Sequence, residues 1–271
     1  MFELDFAAQV DRSIVRETSS DVARAIPRLG LALVADGSGG QDLGEIASRT
    51  AADESERSFS RLGGPGVNSD DTAQRLESAF RDANQRMVAL QTTNEARSRT
   101  GVSLIAAVFA HGRVVIGNVG VCRCYRLRNR SLELLTQEHP LAGQLMVGIK
   151  TTPEARQATR ERESITPRCL DGDEGVIADI RIVRCEPGDV FLLCSDGLWG
   201  RVAADVMAAM LGASQDAREA CERLVSAAWA RGALDNIGIA VVRAVPLQLR
   251  LDEPSWLERP LRPSQYPGGD V

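Results

Sequence analysis

The apolar positions of this chain fall into two spacings. Short apolar runs predict strands: "LGLALVA", "VSLIAAVFA", "RVVIGNVG", "CRCYRLR", "LELLT", "IRIVRC", "VFLLCSD" and "IGIAVVRAV". Apolar residues three and four apart predict helices over "GEIASRTAADESERSFSRL", "TAQRLESAFRDANQRMVALQ", "AADVMAAML" and "AREACERLVSAAWARG". The Ser and Asp of "GGPGVNSDD" suit an N-cap for the second helix. Breaks at "HG", "NVG" and "RNRS" predict hairpin turns and hence antiparallel neighbours, and "EPGD" joins two later strands. Residues 1–28 are polar and weakly patterned, and a polar stretch from Pro140 to Asp179 interrupts the strands. Two groups of strands, each with paired helices nearby, make an α+β order rather than a βαβ repetition.

Composition narrows the setting. A chain of 271 residues, 44% hydrophobic, can bury a full core. One large domain or two small ones would fit that length; the expectation is a body over residues 1–245. A tail over 246–271 carries five of the 11 prolines; its Trp256 and Leu257 either dock on the domain or belong to a flexible end. A net charge of −5 gives no basic footprint for nucleic acid. No run approaches the ~18 apolar residues of a membrane span, and "MFELDFAAQVDRS" lacks the basic and apolar regions of a signal peptide. The expectation is therefore a cytoplasmic protein with neither nucleic-acid nor membrane partners. The six cysteines read as reduced packing residues. Cys122 and Cys124 share a strand face and could form half a metal site, but no second Cys/His cluster completes it.

Chemistry enters at three aspartates. Asp36 in "LALVADGSGG" and Asp196 in "VFLLCSDGLWG" each follow an apolar run and precede a glycine, and Asp235 in "LDNIGIAVV" opens one. A single Asp-Gly is an ordinary turn. Three carboxylates brought to one sheet edge would repel, and a divalent cation relieves that repulsion. Oxygen ligands favour magnesium or manganese.

Four motifs, "VADGSGG", "GNVGVCRCYRLRNRSLELLTQEHP", "PGDVFLLCSDGLWG" and "DNIGIAVV", occur in an order and spacing that resembles the metal-dependent protein serine/threonine phosphatases (protein phosphatase type 2C), of bacterial type. The resemblance runs from Ile14 to Ala244. It implies a four-layer sandwich, two antiparallel sheets face to face with helices outside each. It also implies two Mn2+ or Mg2+ ions held by Asp36, the Gly37 carbonyl, Asp196 and Asp235. A hydroxide bridging the metals would then hydrolyse phosphoserine and phosphothreonine in proteins, opposing a serine/threonine kinase.

The match has departures. The family's Arg-x-x-Asn-Glu-Asp is "RETSSD" here. Arg16 is retained, and the resemblance implies that it grips the substrate phosphate. Asp21 is retained beside the site, while Ser20 replaces a carboxylate. "GVCR" stands where Gly-Asp-Ser-Arg is common, so Val121 offers no ligand and the third metal site is expected to be absent. Ser38 holds a place where some members have a histidine. His111 is expected in an exposed turn, and His139 is read as structural. Trp199 is expected to pack under the site loop, with Arg123 and Asn236 orienting site loops. The alternative reading is a catalytically impaired member acting as a regulatory binding module; a phosphatase of small phosphorylated metabolites also stays open.

Overall fold

The computed structural model describes residues 1–13, 18–39, 43–93, 100–137, 169–172 and 176–247. Within them the strands are β1 (Phe2–Asp11), β2 (Asp21–Ile26), β3 (Leu31–Ser38), β4 (Gly101–Ala110), β5 (Arg113–Val119), β6 (Arg123–Arg128), β7 (Ser131–Leu134), β8 (Asp179–Arg184), β9 (Val190–Cys194) and β10 (Ile237–Pro246). The helices are α1 (Leu43–Arg61), α2 (Ser69–Thr93), the single turn α3 (Asp196–Trp199), α4 (Ala204–Ala213) and α5 (Ala217–Ala230). No helix among the described residues is long and apolar enough to cross a membrane.

The strands form two antiparallel five-stranded sheets, β1-β10-β9-β6-β7 and β2-β3-β4-β5-β8. Their packing makes the expected four layers. Leu31, Leu33, Leu104 and Val108 meet Ala47, Phe59, Leu76 and Phe80 of α1 and α2 on one outer face. Tyr125, Leu192 and Val241 meet Leu211, Leu224 and Ala228 of α4 and α5 on the other. Between the sheets lie Val34, Ile105, Ile116, Phe191, Leu193 and Val242, the alternate positions of the same strands. Each central strand is buried on both faces, which is why it reads as a continuous apolar run. Phe109 stands edge-on to Phe6 at 5.7 Å and to Phe191 at 5.2 Å, so one ring joins both sheets.

Several expectations need correction. Residues 1–28 are not patternless: β1 and β2 both lie there. β1 pairs with β10 along its whole length, from Phe2↔Pro246 to Asp11↔Ile237. Phe2, Leu4, Phe6 and Ala8 alternate toward the inter-sheet core, but Asp5 and Gln9 between them dilute the apolar signal. "NVG" is no hairpin. β5 belongs to one sheet and β6 to the other, so the chain crosses between layers there, with Gly120 at φ 104. "HG" and "RNRS" do close hairpins, β4–β5 and β6–β7. "EPGD" is a turn closed by the Asp189 amide on the Glu186 carbonyl, yet it too links strands of different sheets. The cap of α2 is Asn68, whose Oδ1 accepts the Asp71 amide at 2.9 Å, in place of the expected Ser or Asp.

The cysteines are packing residues as expected. Cys122 and Cys124 lie in the inter-sheet core, Cys194 faces α3, and burial raises all three thiols. Residues 138–168, with His139 and most of the polar stretch, lie outside the described residues, as does the tail beyond Leu247.

Phe109→Ala should test the sheet-to-sheet core. It removes a ring that is 5% exposed, so unfolding stability in urea should fall by about 3–5 kcal/mol with secondary structure retained.

Candidate active site

The site lies at the end of the sandwich where β2 begins, β9 ends and β10 begins. Asp21 and Asp36 are direct neighbours across β2 and β3, Cα opposite Cα. Asp196 opens α3 just after β9, and Asp235 precedes β10. One sheet thus supplies Asp21 and Asp36, and the other supplies Asp196 and Asp235.

The two Asp-Gly pairs are not turns. β3 continues through Gly37 to Ser38, and Asp196 sits in a helical turn. The glycines are required for contact. A Cβ on Gly37 would meet the Gly44 carbonyl oxygen at 2.0 Å, where the first turn of α1 presses on β3. One on Gly197 would meet the Asn236 carbonyl oxygen at 1.9 Å. Each glycine lets a second backbone segment close on the strand end carrying an aspartate.

The electrostatics follow from this convergence. Asp21 is pushed up to about 7, chiefly by burial and further by the charges of Asp196 and Asp235, with a hydrogen bond from Ser195 pulling the other way. Asp36 is raised well above the ordinary carboxylate range by burial first, then by Asp21, Asp196 and Asp235. A buried, like-charged pair of this kind resists carrying both negative charges at once. Among the described residues no three His, Cys, Asp or Glu side chains stand in metal-holding geometry as they are. The donor set nevertheless fits a hard divalent cation in kind: oxygen only, anionic, and crowded enough to hold a proton.

Two polar links cross from sheet to sheet here. Ser195 Oγ donates to Asp21 Oδ2 at 2.6 Å and accepts the Gly238 amide at 3.0 Å, all of it buried. Asn236 Oδ1 accepts the Ser13 amide at 3.0 Å, and its Nδ2 donates to Ser20 Oγ at 3.1 Å. Ser20 therefore faces Asn236, and Asp21 stands inside the carboxylate cluster rather than behind it. Ser195 carries no signal in the sequence beyond its position directly before Asp196, at the end of an apolar run.

The remaining sequence candidates divide. Val121 is buried, its amide 3.3 Å from Ser103 Oγ. Ser38 is exposed and donates to the Gly101 carbonyl. Arg123 stacks 3.6 Å above the Trp199 ring and donates to the Tyr125 hydroxyl at 2.9 Å, bracing α3 behind Asp196. His111 lies exposed in the β4–β5 turn with Nε2 2.9 Å from the Gly66 carbonyl, away from the site. Arg16 lies outside the described residues.

A two-sheet αββα sandwich with carboxylates clustered at one end defines the protein phosphatase 2C class. A sequence profile described as protein phosphatase 2C matches residues 20–234, and the chain belongs to that family. The serine/threonine phosphatase Stp of Listeria welshimeri is 30% identical over 220 residues, covering 78% of this chain and 83% of its own. The serine/threonine protein phosphatase PstP of Mycobacterium tuberculosis is 32% identical over 243 residues, covering 89% of this chain and 45% of its own. The solved catalytic domain of PstP in complex with two manganese ions has a TM-score of 0.73 at 28% identity, covering 90% of this chain and 99% of that one.

The raised carboxyls set a pH dependence with a definite sign. A carboxyl whose folded value exceeds its unfolded one favours the folded state at low pH, and that contribution is lost as pH climbs through the folded value. For Asp21 the loss spans the interval from its ordinary 3.8 up to about 7. In chelator-treated protein the melting temperature should therefore fall as pH rises across that interval. Manganese added at the alkaline end should reverse the fall. A melting temperature that rises with pH in the chelated protein would contradict the buried cluster.

Proposed function

We propose that this chain hydrolyses phosphoserine and phosphothreonine in proteins, opposing a serine/threonine kinase in the cytoplasm. The observation that carries this reading is the convergence of Asp36, Asp196 and Asp235, with Asp21 among them, in a family of known phosphatase fold. Two Mn2+ or Mg2+ ions would be held by Asp36, the Gly37 carbonyl, Asp196 and Asp235. When bound, such ions supply an activated water for in-line attack on phosphorus and neutralise charge on the phosphoryl oxygens.

The chain's own residues act around that chemistry. With a cation bound, Asp21 and Asp36 would both stand as anions, because its charge would offset the burial and repulsion that raise them. Ser195 keeps Asp21 pointed at the cluster through its hydroxyl proton. Gly37 and Gly197 admit the backbone segments that frame the donors. Arg16 binds the substrate phosphate through its planar, bidentate fork. Val121 contributes only apolar packing, so two ions suffice. Retention of Asp36, Asp196 and Asp235 weighs against an impaired binding module.

Asp36→Asn and Asp196→Asn should each lower phosphopeptide hydrolysis by roughly 100-fold at saturating manganese, since each removes charge from the site. Near-normal rates in both would overturn the assignment. Arg16→Ala should raise KM for phosphopeptide while Tm stays within a few degrees. Parallel assays on small phosphoesters separate a protein phosphatase from a metabolite phosphatase: selective turnover of the peptides is the expected result.

A further inference from the structure

We propose that Asn236 is a positioning residue that latches the two sheets together across the mouth of the site and so sets the affinity for the cations. The inference rests on the reading of Asp36, Asp196 and Asp235 as cation donors. It concerns a residue that touches neither ion nor substrate in that scheme.

Asn236 is 1% exposed, so its amide must find partners within the protein. It finds them on separate segments. Its carbonyl takes the backbone amide of Ser13, which follows β1 in the first sheet. Its NH2 group donates to Ser20 Oγ, which precedes β2 in the second sheet. The Ser13 hydroxyl donates in turn to the Leu234 carbonyl at 2.9 Å, drawing the same corner closed. The Asn236 amide N–H donates to Asp235 Oδ1 at 2.9 Å. The residue that aims Asp235 is thus also the one that pins the strand start carrying Asp21, itself paired in register with Asp36.

Among the described residues the two sheets share no ladder hydrogen bond. The Ser195 link lies deeper, on Asp21 and Gly238. The backbone carbonyl oxygen of Asn236, distinct from its side-chain Oδ1, is the surface on which Gly197 closes, one residue after Asp196. A single residue is therefore in contact with the segments bearing Asp21, Asp196 and Asp235. Ser20 gives this latch a chain-specific character: a neutral hydroxyl accepts the Asn236 amide without adding a fifth carboxylate to the cluster. Orienting groups behind metal ligands commonly change ion affinity by 10–100-fold.

The test measures manganese binding directly, by calorimetry and by the manganese-dependent rise in Tm, alongside hydrolysis. Asn236→Ala should weaken manganese binding by about tenfold, with kcat at saturating manganese within about twofold of the unvaried protein. Ser20→Ala, which cuts only one arm, should weaken binding less. The double variant should bind manganese no more weakly than Asn236→Ala alone, because both changes break the same link. Unchanged affinity in Asn236→Ala, or fully additive losses in the double variant, overturns the latch. If Asn236→Ala does not fold, Ser20→Ala carries the test, and unchanged manganese affinity there is the overturning result. Failure of the unvaried protein to bind manganese overturns the proposed function together with the latch, whereas normal binding with unaffected variants overturns the latch alone.

Discussion

The repulsion among four carboxylates at a seam between two sheets is the constraint around which the rest is arranged. Buried like charges are expensive, and the protein brings Asp21, Asp36, Asp196 and Asp235 together regardless. The cost is borne by packing elsewhere. Three apolar layers, one between the sheets and one under each helical layer, hold both strand ends rigidly enough that the aspartates cannot swing apart. The raised carboxyls of Asp21 and Asp36 show what the cluster lacks. It is positive charge, of the kind that a divalent cation among oxygen donors would supply.

The supporting contacts are small and polar or small and bare. Gly37 and Gly197 are needed because carbonyl oxygens of Gly44 and Asn236 occupy the space of their missing side chains. Ser195 and Asn236 are needed because the sheets share no ladder and some group must tie their edges. Stacking of Arg123 on Trp199 braces α3 from behind. Each is a short-range device that holds a backbone segment to within a few tenths of an ångström, which is the precision that a donor set requires.

Legibility in the sequence followed burial. β3, β4, β5, β9 and β10 are covered on both faces, so their apolar runs announced them, and the motif spacing located Asp36, Asp196 and Asp235. β1 and β2 were not legible as strands: β1 is flanked by only one partner, β10, and its apolar positions alternate with Asp5 and Gln9. "NVG" misled because a glycine-containing break looks the same whether the chain turns back on its neighbour or crosses to another sheet. That Asp21 lies directly opposite Asp36 is a matter of strand register, which no local pattern encodes. Ser195 and Ser13 were silent for a similar reason. Their partners lie 174 and 223 positions away, beyond what spacing can indicate.

The pairing of β1 with β10 also orders events during synthesis. Phe2 lies opposite Pro246, so β1 has no β10 edge to join until residue 246 has been translated. The second sheet has no such delay, since β2, β3, β4 and β5 follow one another and pair in that order. On a growing chain, Asp21 and Asp36 are therefore set side by side while Asp196 and Asp235 are still to come. The site is built as two halves at different times, and β10 both completes the pairing with β1 and brings Asp235 in after Asp196.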